Sequence, residues 1–252
     1  MKTTKFLTLV VLVMSLFLTI SCTDDDNEIP ENTHDDAYGD VLLKKVMTPD
    51  GIRYKEVFFA GAIDIIEAGS KVTTPDGTEY SLVDFWAGAG KVNSMAGVMM
   101  ATKPAVGEYT FTLAFSDGYV KTVTDTLEDT EIDLPMPLTV DYTSGDNSIT
   151  VSWNAVDNAD LLCVKITEID PATGTPLDAK PYFKKAQLPA NATSLVINID
   201  GGEGWMRSID ELEVGTEYFV SVAAKTVEDG AAISGASQDF QTSSCIKTKI
   251  TF

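Results

Sequence analysis

The sequence predicts an all-β protein, with two tandem β-sandwich domains following a signal peptide and a disordered acidic tether. Three observations carry this. Beyond residue 40 apolar and polar residues alternate over short runs, and almost no stretch repeats at the 3.6-residue helical period. Turn signals punctuate the runs, as Pro-Asp-Gly at residues 49–51 and 75–77 and Ser-Asp-Gly at 116–118. The 252 residues are 22% charged and 44% hydrophobic, a globular composition with room for one or two domains.

Residues 1–21 read as the signal peptide. Lys2 and Lys5 precede a mostly apolar run, Phe6 to Ile20, which is shorter than the ~20 residues a membrane-spanning helix needs and ends at the small residue Ser21. Residues 22–39 read as the tether. Eight acids and no Lys or Arg lie between Thr23 and Leu43 (Asp24, Asp25, Asp26, Glu28, Glu31, Asp35, Asp36, Asp40). Low hydrophobicity and like charge predict disorder there, with a reach on the order of 25 Å as a flexible coil.

Leu18-Thr19-Ile20-Ser21-Cys22 resembles the lipobox of bacterial lipoproteins, although the favoured leucine stands one position early, at Leu18. The resemblance implies cleavage between Ser21 and Cys22 and acylation of the Cys22 thiol, with palmitate among the chains. Two or three chains anchor stably at about 0.8 kcal/mol per buried methylene, where a single chain is marginal. Asp24, Asp25 and Asp26 directly behind Cys22 resemble the acidic export signal of surface lipoproteins in some Gram-negative bacteria. The implied location is the outer membrane, lipid-anchored and facing outward; the plainer reading of the run is a solvated linker.

Residues 40–134 form the first predicted sandwich. Thr48-Pro49-Asp50-Gly51 with Tyr54 recurs as Thr74-Pro75-Asp76-Gly77 with Tyr80. Pro presets φ, Asp bonds its own backbone and Gly accepts positive φ, so two similar hairpins follow. Tyr109, Phe111, Leu113 and Phe115 alternate up to Ser116-Asp117-Gly118, and Val120 to Leu127 returns. Gly107-Glu108-Tyr109-Thr110-Phe111 before that turn resembles the late strands of bacterial immunoglobulin-like modules.

Leu134-Pro135-Met136-Pro137 marks the junction, because alternate prolines remove two backbone donors from any strand ladder. Residues 135–246 form the second sandwich and 247–252 a C-terminal tail. Apolar sets alternate at Leu138/Val140/Tyr142, Ile149/Val151/Trp153, Leu162/Val164/Ile166, Leu195/Ile197/Ile199 and Tyr218/Val220/Val222/Ala224. The segment around Trp153, followed by Leu212-Glu213-Val214-Gly215-Thr216-Glu217-Tyr218, resembles the fibronectin type III family. That resemblance implies a core role for Trp153 and a phenol at Tyr218 that bonds back to nearby backbone. Such modules bind or space, and the fold does not choose between these.

Two long connections, 170–193 and 200–208, depart from the family pattern. Trp205, after a glycine-rich run, is a candidate aromatic platform for a sugar ring or partner side chain, or else it plugs the open end of the sandwich. Tyr182 and Trp86 carry the same two readings. Asp125-Thr126-Leu127 resembles a short bacterial O-glycosylation sequon, which makes Thr126 a candidate acceptor.

The chemistry of sites is sparse. The charge, 18 Lys+Arg against 38 Asp+Glu for a net −20, repels phosphate backbones and anionic headgroups, so no nucleic-acid partner is expected. The single histidine, His34, falls in the tether, where nothing fixes it as a base. Asp157, Asn158 and Asp160 lack the alternating ligand pattern of a calcium loop, the glycine clusters lack a following phosphate-binding Lys, and Cys163 and Cys245 form no zinc spacing. No cofactor and no metal are expected. The two cysteines could pair in an oxidising compartment, but strand parity puts Cys163 on the face opposite Leu162 and Val164, which favours free thiols. The expected function is a non-enzymatic surface module that binds or spaces a protein or matrix partner. The alternatives are a glycan-binding accessory using Trp205, Trp86 or Tyr182, and a hydrolase built on a carboxylate pair.

Overall fold

The computed structural model describes residues 33–64, 66–83, 91–94, 99–143, 145–172, 174–177, 181–229, 231 and 240–251. These are strands and turns with one turn of 3-10 helix at Ile209–Glu211, the all-β class that alternation predicts. Residues 1–35 and 36–252 form separate units, and every strand belongs to the second.

In the first half the strands are β1 (Tyr38–Thr48), β2 (Gly51–Gly61), β3 (Lys71–Thr73), β4 (Glu79–Ser81), β5 (Lys91–Ser94), β6 (Gly107–Ala114) and β7 (Val120–Leu127). Both Pro-Asp-Gly turns close hairpins. Thr48 pairs with Gly51 across the first, and Thr74 N–H donates to Thr78 O across the second at 2.9 Å. The core there joins Val41 and Leu43 of β1, Phe58 of β2 and Val72 of β3 to Tyr109, Phe111 and Leu113 of β6. Gly39 admits this packing: a Cβ on it would stand 2.4 Å from the Phe111 ring.

In the second half the strands are β8 (Thr139–Thr143), β9 (Ser148–Ser152), β10 (Leu161–Glu168), β11 (Phe183–Pro189), β12 (Ser194–Asn198), β13 (Glu217–Val227) and β14 (Phe240–Thr251). The inward alternating residues build a separate core around Trp153, with Ile149, Val151, Leu162, Ile166, Tyr218 and Val220. Trp153 Nε1 donates to Ala192 O at 2.9 Å, and Glu213 N–H donates to the Tyr218 hydroxyl at 2.9 Å. A buried indole and a buried phenol are thereby both satisfied.

Three boundaries differ from the sequence reading. Strand β1 begins at Tyr38, so Tyr38 and Gly39 belong to the sheet rather than the tether. Residues 247–251 are not a tail. They extend β14, because Ile250 lies opposite Tyr218 and completes the inward alternation begun at Ile246. Nor does the junction at 134–137 separate two sets of sheets. Strand β1 pairs in parallel with β14 at Leu43↔Thr242 through Val46↔Cys245. One seven-stranded sheet, β11-β10-β13-β14-β1-β2-β5, therefore runs through both halves, faced by β12-β9-β8 over one core and β4-β3-β6-β7 over the other.

Candidate functional site

The most distinctive feature of this architecture is the seam where the halves meet. Among the described residues, strand β1 pairs with β14 over Leu43 to Val46. Nearer its start, Val41 N–H donates instead to Asp125 Oδ2 of β7 at 2.6 Å. Beside this divergence lies a groove of about 780 Å³. One wall is residues 124–132, carrying Asp125, Glu128, Asp129 and Glu131, and the other carries Asp160, Glu228 and Asp229.

Buried Gln241 at the start of β14 ties the walls together. Its Oε1 accepts from Glu128 N–H at 2.8 Å, and its Nε2 donates to Thr126 O at 3.2 Å and reaches Glu228 Oε1 at 3.5 Å. Asp160 Oδ2 accepts from Val227 N–H at 2.8 Å. Two of the acids have a lysine beside them. Lys103 lies 2.6 Å from Asp129 and holds that carboxyl below its usual range. Burial pushes the Glu131 carboxyl up, but Lys45, bonded to it at 2.5 Å, together with Tyr54 and Lys103 holds it below the usual range. Lys45 is itself buried and also donates to Ile132 O at 3.2 Å, so this ion pair stitches β1 to the inter-domain segment.

Asp40, Asp125 and Glu228 each offer a carboxylate oxygen here, all within 4.8 Å of one another. Such an oxygen set suits a hard cation such as calcium, and Asp125 is oriented by the N–H groups of Val41 and Thr126. The groove lining carries carboxylates and threonine hydroxyls, with no histidine, lysine or cysteine among its described residues. Sequence reasoning missed this cluster. Its members lie on β1, on β7 and beyond the end of β13, and no local spacing links them.

The sequence-predicted site residues are scattered. Ser21, Cys22, Asp24, Asp25, Asp26 and Trp86 lie outside the described residues. Thr126 is exposed on β7. Tyr182 is not a surface platform: it is 3% exposed, its ring lies under the Arg207 guanidinium at 3.9 Å and edge-on to Tyr218, and its hydroxyl donates to Glu168 at 2.5 Å. Burial and the Glu168 carboxylate push that phenol's pKa up.

Trp205 is half-buried and folds back onto the sandwich. It bridges to Phe183, meets that ring edge-on at 5.4 Å and donates from Nε1 to Asn198 O at 3.0 Å. Gly204 lets the loop approach this closely, with φ of 102° and no room for a Cβ against Phe183. The inserted loop thus closes the sandwich end. Of the residues weighed for calcium, Asn158 and Asp160 line the acidic groove, with Asp160 serving as a backbone acceptor. His34 is also unlike its expectation, since it is buried rather than solvated.

Cys163 and Cys245 are free thiols. Each lies opposite Ala223 of β13, which sets them two strands apart at roughly 9.6 Å, too far to bridge. No protein-family model matches this chain, and a search of curated proteins returns no match either.

Proposed function

We propose that the protein is a lipid-anchored outer-membrane protein facing the extracellular side, where it acts without catalysis as a binding or spacer module for a protein or matrix partner. The observation that carries this reading is the β1–β14 pairing. A spacer or presenting module must hold its surfaces in fixed relation, and two sandwiches sharing one hydrogen-bonded sheet do so, where a flexible linker would not.

The fibronectin type III reading of the second half draws support from its strand grouping, with β8, β9 and β12 facing β10, β11, β13 and β14. The buried Trp153 and the bond from Glu213 N–H to Tyr218 support it as well. The immunoglobulin-like reading of the first half rests on its own core between two sheets. The anchor rests on the segment ending in Ser21-Cys22 and on the acids behind it. The glycan reading loses Tyr182 and Trp205 as stacking platforms, since one is buried and the other is engaged with Phe183.

Metabolic labelling with a fatty acid tests the anchor. The wild type should take up label and sediment with membranes, and Cys22→Ala should do neither. Labelling that persists in Cys22→Ala overturns the anchored reading. Protease added to intact cells should remove the folded part, and full protection would place it on the inner side instead.

A further inference from the structure

Among the described residues the sheets have six outer strands, and an outer strand presents unpaired N–H and C=O groups to any chain that comes alongside. Five of the six carry a charged residue, which discourages such pairing: Lys184 in β11, Lys91 in β5, Asp141 in β8, Glu79 in β4 and Asp125 in β7. Strand β11 adds a register shift in its pairing with β10 and ends at Pro189. Strand β12 has none of these devices. Its sequence, Ser194-Leu195-Val196-Ile197-Asn198, is uncharged, free of proline and paired to β9 without a shift, in a chain of net charge −20.

The ladder fixes which backbone groups of β12 face outward. Just beyond either end of its pairing with β9, Trp153 N–H donates to Thr193 O at 2.9 Å and Ile199 N–H donates to Asn147 O at 2.8 Å. Bonded and non-bonded pairs alternate along an antiparallel ladder. Leu195 and Ile197 therefore bond to β9, while Ser194, Val196 and Asn198 turn their N–H and C=O groups to the open side. A separate contact agrees, because Trp205 Nε1, and not β9, donates to Asn198 O, at 3.0 Å. No described residue bonds the backbone of Ser194 or Val196 on that side, and Val196 is 64% exposed.

We propose that a second copy of this chain pairs with β12 across a two-fold axis at Val196, joining two three-stranded sheets into one of order β8-β9-β12-β12-β9-β8. In this antiparallel register Val196 faces Val196, Leu195 faces Ile197 and Ser194 faces Asn198. Each residue meets one of its own kind on its own side of the sheet, so half-buried Leu195 and Ile197, 2% exposed, carry one core toward the other. Two bonds join the Val196 residues, and two more run from Asn198 N–H to Ser194 O. Trp205 ends the pairing by occupying Asn198 O, and the residue set against it is the small Ser194.

Charge permits this edge and opposes its counterpart. The nearest acid along the strand is Asp200, which faces Ala192 of the second copy. The two Asp200 residues then stand eight positions apart along the ladder, or about 26 Å, roughly three Debye lengths at physiological salt. The residues beside β12 on β9 are Ser148, Thr150 and Ser152 on the outer face, uncharged as well. Pairing β8 with a second β8 about its centre would instead set Asp141 against Asp141. A foreign strand would have to supply the matching alternation, whereas a second copy carries it already. Five residues of edge bury less than the ~800 Å² per partner of a standard interface, so the pairing is weak and reversible, with a dissociation constant on the order of 100 μM.

Sedimentation equilibrium of the full chain in neutral detergent, at matched solvent density, tests this from about 5 to 500 μM. The mass should rise from monomer toward dimer over that range. Val196→Pro removes an outward N–H that β9 does not use, and Val196→Lys sets like charges face to face; each should weaken the dimer about tenfold or more. Thr139→Lys, which adds the same charge to β8, should leave it unchanged, and near-UV circular dichroism certifies the fold of each variant. Mild oxidation reads the register against a wild-type baseline. Val196→Cys should link to itself, because the facing Cα atoms stand about 5.5 Å apart. Ser194→Cys and Asn198→Cys lie about 13 Å from their own equivalents, so each should link poorly alone and well when the two are mixed. A monomer at every concentration, a dimer that survives both Val196 substitutions, or self-linkage at 194 equal to that at 196 overturns the proposal. A monomer whose edge takes up an alternating Thr-Val peptide also overturns it, by assigning the edge to a foreign strand. The pairing needs no lipid anchor, so its failure leaves the anchoring reading standing, while failed lipid labelling leaves this edge intact.

Discussion

Replacing Gln241 with alanine tests whether the seam couples the two halves. The side chain is 6% exposed and makes two sound bonds, from Glu128 N–H and to Thr126 O, with a longer contact to Glu228. Each neutral bond contributes about 0.5–1.5 kcal/mol net. Thr126 and Glu128 are exposed residues that water can partly satisfy, so the sum stands near 2 kcal/mol rather than at the full cost of two orphaned groups. For a unit of this size that corresponds to a melting point lower by roughly 4–8 °C. Urea titration at pH 7, followed by tryptophan fluorescence and by near-UV circular dichroism, reads the change. Wild type should unfold in one transition by both probes, since the halves share a sheet. Gln241→Glu keeps the acceptor for Glu128 N–H but sets a charge beside Glu228, so at pH 7 it should lose more than alanine and recover in part near pH 4. A loss under 0.5 kcal/mol for Gln241→Ala, or two separate transitions in the wild type, would refute the coupling.

Three further outcomes follow from single contacts. Tyr218→Phe leaves Glu213 N–H without its acceptor and should cost about 1 kcal/mol in denaturant midpoint, while a neutral result would mean that water replaces the phenol. Gly39→Ala drives a methyl into the Phe111 ring, 2.4 Å away; the expected loss is about 1–3 kcal/mol, and Phe111→Leu in the same chain should restore part of it. Burial pushes the Glu56 carboxyl up, despite the bond it accepts from the Tyr109 hydroxyl. A carboxyl whose folded pKa lies above its unfolded value favours folding below the unfolded value, and that contribution is lost as pH rises through the folded one. Glu56→Gln should therefore be the more stable protein at pH 7 and lose that advantage below about pH 4; an advantage that grows on acidification would contradict the assignment.

The class, the hairpins and most of both cores were legible because they are set by period and by turn chemistry within short windows. Thr48-Pro49-Asp50-Gly51 closes its hairpin on local grounds, and Ile149, Val151 and Trp153 point inward by parity alone. What could not be read was pairing between distant segments. Nothing in Leu43 or Thr242 announces that they meet, and without that pairing β14 looks finished at residue 246. The two readings of the aromatics stayed open for a related reason. Tyr182 and Trp205 sit among turn residues, which suggests exposure, but Arg207, Phe183 and Asn198 reach them from elsewhere in the fold and take up their faces and polar atoms.

The same limit explains the charge. A net −20 averages over the molecule and does not say where its lysines lie. Lys44, Lys165 and Lys225 are each unremarkable in sequence, alternating with apolar neighbours as any half-exposed strand does. Only when parallel pairing fixes β1 against β14, and antiparallel pairing fixes β14 against β13 and β13 against β10, do these residues fall on one side of one sheet. The pairing that joins the two halves in one sheet is thus also what aligns their lysines. A one-residue slip of β1 would turn Lys44 inward and Lys45 outward. The buried ion pair of Lys45 with Glu131 resists that slip, because it would strand a lysine already bonded to Glu131 and Ile132 O. Lys45 therefore guards the register on which the shared sheet depends.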